Sequence, residues 1–171
     1  LSNLVERLLT LARLEIRQLR RPEVVDLAAL ADEVIAQFSM LARQTGHLIN
    51  LETVEPVETT GESEAIYHAL RNLIENAINY SPDGTTVTIN TEVSGDIVEI
   101  QVIDQGIGIA DSDIDRIFER FYRVDPARSR ETGGTGLGPA IVKHIANRHQ
   151  ADVRIKSTVG HGTAFSFVMP R

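Results

Sequence analysis

Residues 72–84 read NLIENAINYSPDG, and this stretch decides how the chain around it folds. It closes a run, Glu62–Tyr80, in which Ile66, Ala69, Leu70, Leu73, Ile74, Ala77 and Ile78 recur at helical spacing. Apolar residues at i, i+3, i+4 and i+7 make one buried stripe on a helix, whereas a half-buried strand needs strict alternation. Ser81-Pro82-Asp83-Gly84 then turns the chain, since proline and glycine interrupt a helix and supply turn geometry. Asn72, Asn76 and Asn79 fall at i, i+4 and i+7, so they share a second stripe, expected opposite the apolar one. Asparagine is a poor helix former, and three on one stripe is costly for a merely solvated surface. A carboxamide offers an oxygen to a hard cation and an NH2 group to a phosphate. The plainer alternative for the stripe is a polar outer face.

Downstream, Val87, Ile89 and Thr91 alternate with polar residues, Ser94-Gly95-Asp96 supplies a turn, and Ile97–Ile103 follows, which predicts a hairpin. Next come a glycine-rich loop, a short helix near 111–122, a polar Arg-rich segment at 123–133 and a helix at about 137–149. Strands at 151–157 and 163–168 end the chain. Upstream, the pattern predicts a strand at 23–26, a helix over 27–45 capped by Asp26 and ending near Gly46, and strands at 47–53 and 57–60. Later strands come in hairpins while helices are interspersed. The expected fold class is therefore α+β: a two-layer sandwich whose mixed, mostly antiparallel sheet is covered by helices on one face. Residues 1–20 read as one more helix. Leu4, Leu8 and Leu11 form one apolar row, and Val5, Leu9, Ala12, Ile16 and Leu19 a neighbouring one. So broad a face is that of a bundle helix, and Arg20-Arg21-Pro22 reads as a stop and linker. The expected division is a bundle helix over 1–21 and a catalytic unit over 22–171. The alternative is a helix packed on its own domain.

A length of 171 residues fits one globular domain with a sizeable core. The net charge of -7 argues against nucleic acid as a partner. It does not exclude a nucleotide, because a phosphate site needs local donors rather than global charge. With no cysteine, disulfides and thiolate metal sites are excluded. No apolar run approaches the roughly 20 residues of a membrane helix. The chain opens at Leu1 with neither an initiator Met nor a signal-peptide pattern. The expectation is a piece of a larger protein whose membrane segment lies upstream.

Three more clusters carry chemistry. Asp104-Gln105-Gly106-Ile107-Gly108-Ile109 directly follows a predicted strand. The glycines permit positive φ and close approach of a ligand, and a buried carboxylate can accept from an exocyclic amine. Phe118-Glu119-Arg120-Phe121-Tyr122-Arg123 reads either as a helix end anchored in the core or as an aromatic hinge beside a lid, with Arg123 reaching a phosphate. Gly133-Gly134-Thr135-Gly136-Leu137-Gly138 leads into a helix whose N-terminal N–H groups and dipole favour an anion. The spacing matches neither a P-loop nor a dinucleotide fingerprint.

In this order, NLIENAINYSPDG, DQGIGI, IFERFYRVD and GGTGLG resemble the N, G1, F and G2 boxes of bacterial sensor histidine kinases. The resemblance covers essentially the whole chain. Residues 1–15, LSNLVERLLTLARLE, are similar to the second helix of that family's dimerisation hairpin. ERFYRVDPARSRETGGTGLG and IKSTVGHGTAFSF are most like the phosphate-regulon sensors. The resemblance implies a Bergerat-type ATP fold of the kind found in gyrase, Hsp90 and MutL, with ATP and Mg2+ as ligands. By that analogy Asn76 coordinates Mg2+, while Asn72 and Tyr80 contact phosphate or metal-bound water. Asp104 accepts from the adenine amine, with Thr163 helping to hold the ring. Gly106, Gly108 and Ile109 shape the nucleotide loop. Tyr122 and Arg123 lie toward the γ-phosphate, and Gly134, Thr135, Gly136, Leu137 and Gly138 form the lid end and helix start. The family's activity is transfer of the γ-phosphoryl group to a histidine on the dimerisation domain. Its partners are that domain, a response regulator and a second copy of the full-length protein. The catalytic part is expected in the cytoplasm, beneath an inner-membrane anchor.

Two residues depart from the family pattern. Asn79 stands where Lys or Arg is usual, and Pro139 where Leu is usual, which predicts weakened rather than absent ATP binding. Proline is tolerated in a helix's first turn but constrains Gly138 before it. Both departures support an alternative: a degenerate nucleotide-sensing or protein-interaction module. A gyrase-like ATPase fits less well. Such enzymes carry a glutamate base one turn before the metal-binding Asn, and Asn72 cannot serve as a base. Glu75 points about 100° around the helix from Asn76. His47, His68, His144, His149 and His161 all lack the His-Glu/Asp setting of a phosphoacceptor, so the chain is expected not to phosphorylate itself.

Overall fold

A computed structural model describes residues 2–16, 22–53, 56–124 and 134–171. Within them the order is α1 (Ser2–Ile16), β1 (Glu23–Asp26), α2 (Leu27–Thr45), β2 (Leu48–Leu51), β3 (Glu58–Gly61) and α3 (Ser63–Tyr80). The hairpin β4 (Thr86–Ser94) and β5 (Ile97–Ile103) follows, then α4 (Asp111–Ile114), a 3-10 turn (Arg116–Phe118), α5 (Gly138–Arg148), β6 (Asp152–Thr158) and β7 (Gly162–Pro170). The predicted linker residues 20–21 and most of the predicted 123–133 segment lie outside the described residues.

Five strands form one sheet in the order β2-β4-β5-β7-β6, parallel only between β2 and β4. The α+β class with a mixed, mostly antiparallel sheet is thus the observed one. Its register explains the core. Leu51, Ile89, Val102, Phe165 and Ile155 stand in one cross-strand row, and Thr91, Ile100, Phe167 and Val153 in the next. Because side chains alternate with a period of two, both rows point to the same face. Their apolar members join one core with Leu70, Leu73 and Ile74 of α3 and Ile141 and Ile145 of α5. On the opposite face Gln101 Nε2 donates to Ser166 Oγ at 2.9 Å, which satisfies the buried Ser166 hydroxyl. A separate two-stranded pair, β1 with β3, was not anticipated. Both strands are only four residues long, too short to signal whether they join the main sheet.

Asp26 caps α2 as expected: its Oδ1 accepts from Ala28 N at 2.9 Å and Ala29 N at 3.3 Å, and Gly46 ends the helix in the left-handed conformation. Three readings need correction. The predicted helix near 111–122 is a single turn plus a 3-10 turn, and Phe121 then adopts φ 66°. Tertiary bonds override the helical pattern there: Phe121 N–H donates to Gly136 O at 2.9 Å, and Tyr122 O–H to Asp113 Oδ1 at 2.6 Å. The asparagine stripe is not opposite the apolar one along its whole length, because Asn72 is buried at 5% exposure. Finally, α1 divides its two apolar rows. Leu11 is buried and Leu4 packs against the core, while Val5, Leu8 and Leu9 remain exposed.

The Asp26 cap satisfies two N–H groups that have no helical partner, and losing such a cap typically costs about 1 kcal/mol. Thermal melts of Asp26→Ala are expected to show that loss. Asp32→Ala, on the exposed face of α2, is expected to stay within about 0.5 kcal/mol of the parent.

Candidate functional site

The ends of β5 and β7, the last turns of α3 and the start of α5 enclose a cleft with about 870 Å3 of atom-free space, part of it open to solvent. At one end stands Asp104, at the C-terminus of β5 and only 8% exposed. Its Oδ1 accepts from Gly106 N at 2.8 Å and from Thr163 N at 3.1 Å, while Asp104 N donates to Thr163 O at 2.9 Å. The aspartate is therefore fastened both to its own loop and to β7. Burial pushes its carboxyl above the ordinary range, and the two backbone N–H groups pull it partly back.

Ser157 organises the same end. Its hydroxyl donates to Gly162 O at 3.0 Å, accepts from Ile109 N at 2.8 Å and lies 2.8 Å from Thr163 Oγ1. A lone serine in a strand gave no signal of this role. The loop between Asp104 and Ile109 is pinned to α3 by Ile107 N donating to Tyr80 O at 3.2 Å. Gly108 has φ 71°, and a Cβ there would overlap the Thr158 carbonyl, so both conformation and space require glycine.

At the other end Asn76, Asn79 and Tyr80 line the cleft from α3, and Gly134, Thr135, Gly136 and Gly138 line it from the opposite side. An added Cβ on Gly138 would lie 3.4 Å from both Nδ2 and Oδ1 of Asn76, so the helix start approaches the carboxamide closely. Tyr122, Arg123, Asp104, Gly108, Ile109 and Thr163 complete the set of sequence-predicted residues that line it. Arg116 stacks over the Tyr122 ring at 4.2 Å.

Three predicted residues do not face the cleft. Gly106 acts through its N–H on Asp104. Leu137 is fully buried as the core residue under the helix start. Asn72 lies beneath, with Nδ2 donating to His68 O at 2.7 Å and Oδ1 accepting from Arg7 at 3.3 Å. Five lining residues were missed, Val124 among them, and Pro139, singled out above only as a departure, also lines the cleft. Phe165 and Ile117 were readable only as core residues, Ile107 as a loop residue, and Arg7 belongs to a helix assigned to another unit. Among the described residues no cluster of three or more His, Asp or Glu is placed to hold a metal, so a cation here would depend on amide oxygens and on its ligand. Two of the histidines are packing residues: His149 Nε2 accepts from Glu62 N at 3.0 Å, and buried His47 Nδ1 sits 2.6 Å from Thr45 Oγ1.

A family model described as "Histidine kinase-, DNA gyrase B-, and HSP90-like ATPase" matches residues 61–171, and the chain belongs to that family. Its relatives are sensor kinases. The sensor-like histidine kinase SenX3 of Mycolicibacterium smegmatis is 40% identical over 171 residues, covering 99% of this chain and 44% of the relative. The phosphate regulon sensor protein PhoR of Pseudomonas aeruginosa is 37% identical, covering 97% of this chain and 38% of the relative. The chain thus spans less than half the length of these relatives. Among solved structures, full-length ShkA in complex with AMPPNP superposes with a TM-score of 0.83 at 27% identity, over 98% of this chain and 35% of that one. The mycobacterial sensor histidine kinase MprB gives 0.74 at 29% identity, over 87% of this chain and 97% of that one. Among the described residues no helix is long and apolar enough to cross a membrane.

The raised pKa of Asp104 has a stability consequence. The folded carboxyl binds its proton more tightly than the unfolded one, so its contribution is fully present below the ordinary carboxylate range and is lost as pH rises through the folded value. Asp104→Asn keeps an acceptor oxygen for both backbone N–H groups and has no charge to desolvate. Its melting temperature at neutral pH is expected to match or exceed the parent's, with the difference closing as acid protonates Asp104.

Proposed function

We propose that this chain binds Mg·ATP in the cleft and presents the γ-phosphoryl group to a histidine on a dimerisation helix pair. The observation that carries the reading is the buried Asp104 carboxylate. Its Oδ1 is held by two backbone N–H groups, which leaves Oδ2 to accept from the exocyclic amine of adenine. Thr163 and Phe165 would flank the ring. The phosphates would then extend toward Asn76, Arg123 and the N–H groups at the start of α5, where the helix dipole favours an anion.

The donor set suits magnesium. Asn76 presents a hard amide oxygen close to that helix start, and phosphate oxygens would complete the coordination. When bound, the ion neutralises charge on the phosphates. The protein's own part is placement: Asp104 fixes the base, Asn76 and Asn79 orient the phosphate end, and Arg123 approaches the terminal phosphate. Among the described residues, neither position beside Asn76 that could hold a base is set to activate water. Asn72 cannot, and Glu75 is ion-paired with Arg7 at 2.5 Å, which favours phosphoryl transfer over hydrolysis. Pro139 lies in the first turn of α5, where its missing N–H is no loss, and Ile141 N–H still reaches Leu137 O at 3.0 Å. That geometry weakens the case for a degenerate module.

Residues 2–16 are read as the end of a hairpin helix. The acceptor histidine and the membrane anchor would belong to the parent protein, a homodimer whose separate partner would be a response regulator. Calorimetric titration of the chain with ATP is expected to show binding that weakens about tenfold or more when EDTA removes magnesium. Asn76→Ala should bind ATP equally with and without the metal, and bind adenosine as the parent does. Radiolabel from ATP should pass to a supplied hairpin bearing a histidine and not to the chain itself. Stable label on His68 or any other histidine of the chain would contradict this.

A further inference from the structure

We infer that Arg7, on α1, is a contact residue for the phosphates of the bound nucleotide, so that filling the cleft and docking α1 are coupled; this rests on reading the cleft as an ATP site. Arg7 lines the cleft although it lies 65 residues from Asn72 in sequence. Its side chain is 11% exposed. One terminal nitrogen is 2.5 Å from Glu75 Oε1, and the other donates to Asn72 Oδ1 at 3.3 Å. Glu75 is adjacent to Asn76 on α3 and Asn72 is one turn before it. The guanidinium therefore stands at the Asn76 end of the cleft, away from Asp104.

The placement of Arg7 is built rather than accidental. Leu4 and Leu11, about one turn to either side, pack on the core and orient that face of α1 toward α3 and α5. Charge makes the position count. Among the described residues that line the cleft, the cations are Arg7 and Arg123, while Asn79 is uncharged and the chain carries a net charge of -7. A magnesium-bound triphosphate still carries negative charge. A guanidinium has five N–H donors in a planar fork, so it can keep Glu75 and Asn72 and also serve a phosphate oxygen. The guanidinium is already largely desolvated by folding, so a phosphate oxygen that reaches it adds a charge-assisted hydrogen bond, offset in part by repulsion from Glu75.

The same contact has an opposite reading, in which Arg7 holds the phosphate end shut and competes with ATP. Titrating the 171-residue chain with Mg·ATP, Mg·ADP and adenosine separates the two. Arg7→Gln is expected to bind Mg·ATP about tenfold more weakly, the scale of one charge-assisted hydrogen bond, with a smaller loss for Mg·ADP and none for adenosine. Arg7→Lys should fall between. Amide exchange in α1 should slow on adding Mg·ATP to the parent but not to Arg7→Gln. Equal or tighter ATP binding by Arg7→Gln would overturn the inference, and so would an equal loss for adenosine or α1 exchange that ignores ATP. A parent chain that binds neither ATP nor adenosine would instead sink the ATP-site reading itself.

Discussion

The structure depends on one buried carboxylate held by two backbone N–H groups. Asp104 closes β5, and its bonds to Gly106 and Thr163 tie the glycine loop to the start of β7. An unpaired buried carboxylate would protonate or destabilise the fold, so the loop must stay where its N–H groups can reach. The same constraint places Ile107 against Tyr80 O, and Ile109 against Ser157. Three chain segments distant in sequence thereby share one rigid end of the cleft. A preorganised acceptor gives selectivity for a base that can donate to it, because its desolvation has already been met on folding.

The other end works differently. It is assembled from the last turns of α3 and the first turn of α5, whose inner faces share the main core through Leu73, Ala77, Ile141 and Ile145. Packing sets the gap between these helices, and the polar residues at their ends inherit that spacing. Asn76 faces the cleft because the apolar stripe of α3 fixes the helix rotation. Asn72, on the same stripe one turn earlier, is instead covered by Arg7 of α1.

Much of this was readable in the order of residues. Helical and alternating periodicity located α2, α3, the β4–β5 hairpin and β6–β7. Four motif clusters placed twelve of the predicted residues on the cleft, and the family resemblance added Thr163. What escaped did so for physical reasons. Tertiary hydrogen bonds at Phe121 and Tyr122 broke a segment whose local pattern was helical. Short β1 and β3 carried too few residues to declare their partners. Ser157 and Arg7 act through contacts with residues far away in sequence, which no local pattern encodes. Comparison with sensor kinases assigns the family, while the side-chain roles are proposals drawn from the resemblance and from the cleft's geometry.

The most direct measurement compares the affinity of the chain for ATP with that for inosine triphosphate, which replaces the exocyclic amine of the base by a carbonyl oxygen. If Asp104 receives that amine, the carbonyl leaves a buried carboxylate facing another acceptor, and ATP should bind about a hundredfold or more tightly. Equal affinities for the two nucleotides would contradict the account at its base.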